Sequence, residues 1–262
     1  MTAPRAEFSG PTPLSLEQER VWSKGRSILR IPPMVLRFEG QVCIPSLQQS
    51  LDDIVRRHES LRTSFRGPGP EVVVVAERPV CLVVSDLRGR TGPQQDTEIK
   101  RLLRLIDEEP FDLANDPLLR AHLICLGERR HILAFTVHHI VCDLWSMSIL
   151  VREWSTRYSD YIAGRDSSLP RLSAQLSDRS RWQRQRLQGP VLDEHLVYWR
   201  AQLKDLPVLH FRKARADSRP AEHDGALFNA SIPAALSTSL RAFSREQQVT
   251  PFMTLLLSLI HI

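Results

Sequence analysis

A nearly unbroken apolar run, Ile132-Leu133-Ala134-Phe135-Thr136-Val137, ends in two adjacent histidines, His138 and His139, with Asp143 four residues further on. Enrichment in β-branched and aromatic side chains, without a helical period, reads as a buried strand. From Leu144 the pattern changes. Met147, Leu150, Val151, Trp154 and Tyr158 recur at intervals of three and four, and Gly164 stands where a helix would be capped.

Side chains alternate along a strand, so His138 and His139 point to opposite sides and only one can face a given cleft. An imidazole, with an ordinary pKa near 6.5, can take a proton from a nucleophile at neutral pH or hydrogen-bond to it as charge develops. Asp143 sits where a carboxylate caps free helix amides and meets the positive end of the helix dipole. On these residues alone two readings stay open: a catalytic histidine with an aspartate beside it, or a rim histidine and a simple cap. A zinc site is disfavoured, because adjacent strand histidines diverge and Cys43, Cys81, Cys125 and Cys142 are widely spaced.

The rest of the chain supports a mixed α/β order. Helices are expected over Pro13 to Lys24, over Ser46 to His58 with Ser46 as cap and Leu47, Leu51, Ile54 and Val55 on one face, and over Gln95 to Glu108. Strands are expected at Met34 to Phe38, Glu71 to Val75 and Cys81 to Val84. Leu118 to Leu126 and His131 to His139 should form a hairpin turned at Gly127-Glu128-Arg129-Arg130. Helices then dominate to Leu203, Pro207 to Gly225 reads as a connector, and Leu227 to Ile232 as the first strand of a new lobe.

Composition narrows the function classes. The 262 residues carry 42% hydrophobic side chains, enough for a sizeable core. A net charge of +5 raises nucleic acid as a partner, but arginines are interspersed with acids and no aromatic-basic repeat suggests base stacking. The densest basic stretch, Arg179 to Arg186, is expected to be a solvated helical face, the alternative being a contact for an acidic or phosphate-bearing partner such as a carrier protein. The final apolar run, Pro251 to Ile260, is far short of the roughly 20 residues that cross a bilayer. The first residues lack the apolar segment of a signal peptide. A cytoplasmic protein with reduced thiols, binding neither membrane nor nucleic acid, is the expectation.

His138-His139-Ile140-Val141-Cys142-Asp143 resembles the His-His-x-x-x-Asp-Gly signature of the condensation domains of nonribosomal peptide synthetases. Other blocks follow in the family's order. Leu14 to Trp22 is similar to the opening motif, and Arg57-His58-Glu59-Ser60-Leu61-Arg62-Thr63-Ser64-Phe65 is a nearly complete second one. Pro110 to Leu113 with Asp116 to Ala121 resembles the lead into the active-site hairpin. Asp178 with Trp182-Gln183-Arg184 is a weaker echo of the fourth motif, and Tyr198 to Leu203 fits the region after it. The usual glycine after the aspartate is Leu144, whose side chain is expected to crowd the backbone there. The resemblance covers the first half to three fifths of a condensation domain and stops in the helix beginning near Thr250.

The resemblance implies an α/β fold: a chloramphenicol-acetyltransferase-like two-layer sandwich lobe followed by the start of a second, truncated lobe. The expected division is residues 1–180 for the histidine lobe, 181–225 for a helical connector and 226–262 for the second lobe. It also implies amide formation between a donor thioester and an acceptor amine, with no cofactor or metal bound directly. Both substrates would be held on the phosphopantetheine of peptidyl or acyl carrier domains, next to other synthetase domains. His139 would contact the nucleophile, His138 would point into the lobe, and Asp143 would form a buried ion pair with Arg62 that holds the loop. Trp145 and Ser146 are read as packing and capping residues, and Trp22 as a core anchor. The alternatives are a non-catalytic carrier-binding relative and a stand-alone acyltransferase forming esters or amides.

Overall fold

The computed structural model describes residues 12–23, 31–67, 71–76, 78–207 and 230–260. The chain divides into two compact units, Met1–Leu209 and His210–Ile262. The first contains α1 (Leu16–Ser23), β1 (Met34–Glu39), α2 (Ile44–Arg57), a 3-10 turn (Glu59–Arg62), β2 (Thr63–Arg66) and β3 (Glu71–Val74). It continues with β4 (Cys81–Asp86), α3 (Gly92–Glu108), β5 (Leu119–Cys125), β6 (Arg130–Val137), α4 (Leu144–Ile162), α5 (Leu176–Arg186) and α6 (Gly189–Gln202). The second unit holds α7 (Ala234–Glu246) and α8 (Pro251–Ile260), bridged by the Ser244 and Thr254 hydroxyls at 2.8 Å.

β6 is an inner strand of a four-stranded sheet ordered β1-β6-β5-β4. It runs antiparallel to β1 and β5, while β4 and β5 are parallel. This position explains its composition: an inner strand covered on both faces has no alternating polar side. Leu133, Phe135 and Val137 join the main core with Leu47, Leu51 and Ile54 of α2 and Met147, Leu150 and Trp154 of α4. Ile132, on the opposite face, packs with Ile124, Leu87 and Ile99 of α3. The Phe135 and Trp154 rings meet edge to face at 5.3 Å.

The hairpin of β5 and β6 forms as expected, pairing Leu119 with Val137 at its open end. That register brings the two histidines out beside Leu118, whose carbonyl accepts the His138 amide at 3.1 Å. α4 ends as the sequence predicts, with Gly164 at φ +62° and the Arg165 amide donating to the Asp160 carbonyl at 2.9 Å. Trp22 packs against the main core, its ring 6.4 Å from Phe65.

Several expectations are corrected. Ser46 does not cap α2: the helix starts two residues earlier, with Cys43 at the cap position and Pro45 in the first turn. Proline is tolerated there because first-turn amides lack partners anyway. β3 pairs with a strand the sequence pattern does not signal, β2, whose four residues run directly on from the 3-10 turn. The basic face of α5 is not simply solvated. Arg181 donates to the Thr12 hydroxyl, and Arg184 donates to the Leu14 carbonyl and pairs with Glu19, so the run ties α5 to the segment around α1. Of the expected connector Pro207 to Gly225, all but Pro207 lies outside the described residues, as do Leu227 to Asn229 of the expected strand; residues 230–232 are not in a strand.

Candidate functional site

β6 delivers the site residues to one loop between the sheet and α4. His138 is buried, and its Nδ1 accepts the Ile140 amide at 3.1 Å. The Phe111 ring stands edge-on to it at 5.8 Å, and the Arg120 guanidinium lies over the Phe111 ring, 4.1 Å from its centre. Asp116 and the Glu109 and Pro110 carbonyls hold Arg120. A packed column from Arg120 through Phe111 to His138 therefore supports the turn.

His139 is half-buried, and its Nδ1 lies 2.8 Å from the Cys142 carbonyl oxygen. A carbonyl only accepts, so Nδ1 carries the proton and the neutral ring keeps its lone pair on Nε2. The residue that fixes the tautomer is thus main chain, three positions along. Cys142 is buried, and burial first, then the nearby Asp143 carboxylate, push its thiol up to about 12. It stays a neutral packing group rather than a nucleophile.

Asp143 caps α4. Its Oδ1 accepts the Ser146 amide at 2.7 Å and the Ser146 hydroxyl at 2.6 Å. Those hydrogen bonds, with a smaller contribution from His139, hold the carboxyl below its ordinary range.

The expected ion pair between Asp143 and Arg62 is not formed. Arg62 directs Nη1 to the Val75 carbonyl, and Asp143 is exposed and occupied by Ser146. A surface carboxylate already satisfied by the Ser146 amide and hydroxyl has little to gain from a guanidinium that would have to leave its own partner. Leu144 does not crowd the backbone: it is the first residue of α4 and 72% exposed. Trp145, expected to pack, is also exposed, whereas Ser146 is the residue the cap engages.

Glu153 supports the site although it lies outside every motif in the sequence. It receives Arg57 Nε at 2.9 Å and lies 2.8 Å from His58 Nε2. Burial raises its pKa, but the hydrogen bonds from His58 and Arg57 prevail and leave it lowered. Its one signal in the sequence is its position three residues after Leu150, on the buried side of α4. Glu59 acts as framework, accepting the Ser177 amide at 2.6 Å and so docking α5. A cleft of about 140 Å³ lies between these elements, lined by His58, Leu61, Val141, Cys142, Ser146 and Leu150. Among the described residues no three His, Cys, Asp or Glu side chains gather as a metal site, and no helix is long and apolar enough to cross a membrane.

A mixed sheet packed with helices makes this an α/β protein, and its likeness to solved condensation domains gives it the chloramphenicol-acetyltransferase-like fold. The chain belongs to the condensation-domain family: residues 9–262 match the profile described as "Condensation domain". It is 37% identical to chondramide synthase cmdD of Chondromyces crocatus over 255 residues, covering 93% of this chain and 6% of that protein. Phosphinothricin tripeptide synthetase PhsC of Streptomyces viridochromogenes is 33% identical over 260 residues, covering 96% of this chain and 24% of that protein. Among solved structures, the X-domain from teicoplanin biosynthesis in complex with OxyB superposes with a TM-score of 0.71 at 26% identity, covering 82% of this chain and 49% of that one. The first condensation domain of the calcium-dependent antibiotic synthetase, in complex with a substrate analogue, shares the fold with a TM-score of 0.65 at 23% identity, covering 76% and 49%. The chain thus spans a small part of the synthetases and about half of these solved chains.

Proposed function

We propose that this chain supplies the histidine-bearing lobe of a condensation-type acyltransferase in nonribosomal peptide synthesis. In this reading the amine of a carrier-bound aminoacyl acceptor attacks the thioester carbonyl of a carrier-bound donor. The C–N bond forms, the C–S bond breaks, the thiol departs on the donor arm, and the amine loses one proton. His139 is the catalytic residue, holding or accepting that proton at Nε2. His138 positions the turn from within the lobe, and Asp143 keeps the loop joined to α4. Residues 1–180 form the lobe, 181–225 connect, and 226–262 begin the second lobe. Carrier and adjoining synthetase domains are the partners, in the cytoplasm, and the phosphopantetheine belongs to the carriers.

The observation that carries this reading is the 2.8 Å contact of His139 Nδ1 with the Cys142 carbonyl, which leaves Nε2 as the lone-pair nitrogen. The test is a protein containing this chain within a complete condensation domain, given carriers loaded with donor and acceptor, with dipeptidyl product measured by mass spectrometry. Product that disappears in His139→Ala supports the assignment, and undiminished product refutes it.

A second reading, a partner-binding domain without turnover, is favoured by the likeness to an X-domain solved in complex with OxyB. Carrier or tailoring-enzyme binding with no product from any substrate pair would select it.

A further inference from the structure

The loop that carries His139 is held by buried side chains as well as by its main chain. Between half-buried His139 and exposed Asp143, the successive residues Ile140, Val141 and Cys142 are all buried. The first two are tied to His138: the Ile140 amide donates to its Nδ1 at 3.1 Å and the Val141 amide to its carbonyl at 3.1 Å. Cys142 is held differently. Its side chain joins the main core at 6% exposure, and its Sγ donates to the Asp143 carbonyl at 3.4 Å. That carbonyl also accepts the Met147 amide at 2.9 Å, the first main-chain hydrogen bond of α4.

A peptide group is planar and turns as a unit, so the one between Cys142 and Asp143 can swing only if one of its ends moves. The Cys142 side chain anchors one end in the core, and the Asp143 cap anchors the other to α4. A hydrogen bond from sulfur is weak, so burial supplies most of the first anchor. Burial also pushes the thiol up to about 12, and the donor therefore keeps its proton at neutral pH. Beside Cys142 lies the cleft of about 140 Å³. Cutting the side chain back would enlarge a space that is already unfilled, and would give the loop room to shift.

We propose that Cys142 is the positioning residue for His139: its side chain, anchored in the core, aims the carbonyl that holds the proton on Nδ1 and so keeps the lone pair on Nε2. With the anchor removed the carbonyl is still present but its direction is not fixed, and either ring nitrogen can carry the proton. The role rests on the acyl-transfer reading for the rate alone, because the place of the proton on the ring is read without turnover.

The test uses a protein containing this chain within a complete condensation domain, isotope-labelled at the histidine ring nitrogens. The ring resonances of His139, assigned by their disappearance in His139→Ala, report the tautomer, and single-turnover rates with loaded carriers report the chemistry. In the parent the neutral ring should carry its proton on Nδ1. Cys142→Ala should give a mixture of both tautomers and a rate about tenfold lower, the worth of one hydrogen bond. Cys142→Ser has nearly the parent's shape and a hydroxyl that can donate to the Asp143 carbonyl, and should restore the tautomer and most of the rate. Leu61→Val trims another wall of the same cleft, and should lower the melting temperature without moving either readout. If Cys142→Ala fails to fold, Cys142→Leu, whose longer side chain must turn into the cleft, should shift the tautomer instead. A shifted tautomer with an unchanged rate upholds the positioning role and counts against His139 as the catalytic residue. A parent ring protonated at Nε2, a parent-like tautomer in the folded Ala or Leu variant, or an equal shift in Leu61→Val overturns the proposal.

Discussion

The Asp143 carboxylate and Ser146 form a two-point cap, one oxygen accepting both the amide at 2.7 Å and the hydroxyl at 2.6 Å. This gives the family's aspartate a local task in this chain: it ends the histidine loop and begins α4 in one residue. Asp143→Ala should therefore cost about 1 kcal/mol, the worth of a helix cap, rather than the roughly 3–5 kcal/mol of a broken buried ion pair. Asp143→Asn, which can still accept, should recover most of it. Denaturant melts of the three proteins check this, and a loss as large as that of a buried pair in Asp143→Ala would contradict the cap.

His139→Ala should leave the fold intact and reduce amide formation by about 10² to 10⁴-fold, the range for a positioned acid–base group. Single-turnover rates with loaded carriers, beside an unchanged circular dichroism spectrum, measure both halves of the statement.

His138→Ala should behave in the opposite way. It strands the buried Ile140 amide and removes a ring packed on Phe111, so stability should fall by about 1–3 kcal/mol for the unmet donor alone. Thermal unfolding shows the loss, and a melting temperature equal to the parent's would mean the ring does not brace the turn.

Glu153 sets an acid limit on stability. Its folded pKa lies below the ordinary 4.5, so the folded state binds its proton less readily than the unfolded chain does. That contribution is present above pH 4.5 and is lost as pH falls through the lower folded value. Glu153→Gln should flatten this acid-side decline, read from urea midpoints between neutral pH and about pH 3. Glu153→Ala, leaving Arg57 and His58 without their shared acceptor, should cost about 2 kcal/mol at neutral pH, less than a fully buried pair because both partners keep some solvent.

Leu144→Gly should lower stability by less than about 1 kcal/mol, since glycine weakens a helix and the first position is the least sensitive. Asp143 and the start of α4 have ordinary backbone angles, with positive φ among described non-glycine residues confined to Asp205 and Gln248. A stabilised Leu144→Gly protein, seen in the same melts, would show strain at this position.

Local chemistry was readable without coordinates. The nearly unbroken apolar run over Ile132 to Val137 reads as a buried strand, the spacing from Met147 to Tyr158 as a helix, and Gly164 as its end, because each depends on the side chains of a single segment. The order of the motifs identified the family for the same reason. What only the tertiary structure decided is where long side chains spend their hydrogen bonds. Arg62 could reach toward Asp143 or toward Val75, and Arg184 could enter solvent or grip α1. Glu153 could be one more helical carboxylate or the acceptor shared by Arg57 and His58. An arginine or glutamate has many rotamers of similar energy, so its partner is chosen by burial and by competing donors and acceptors brought together from distant segments. The sequence names those groups but does not bring them within reach of one another.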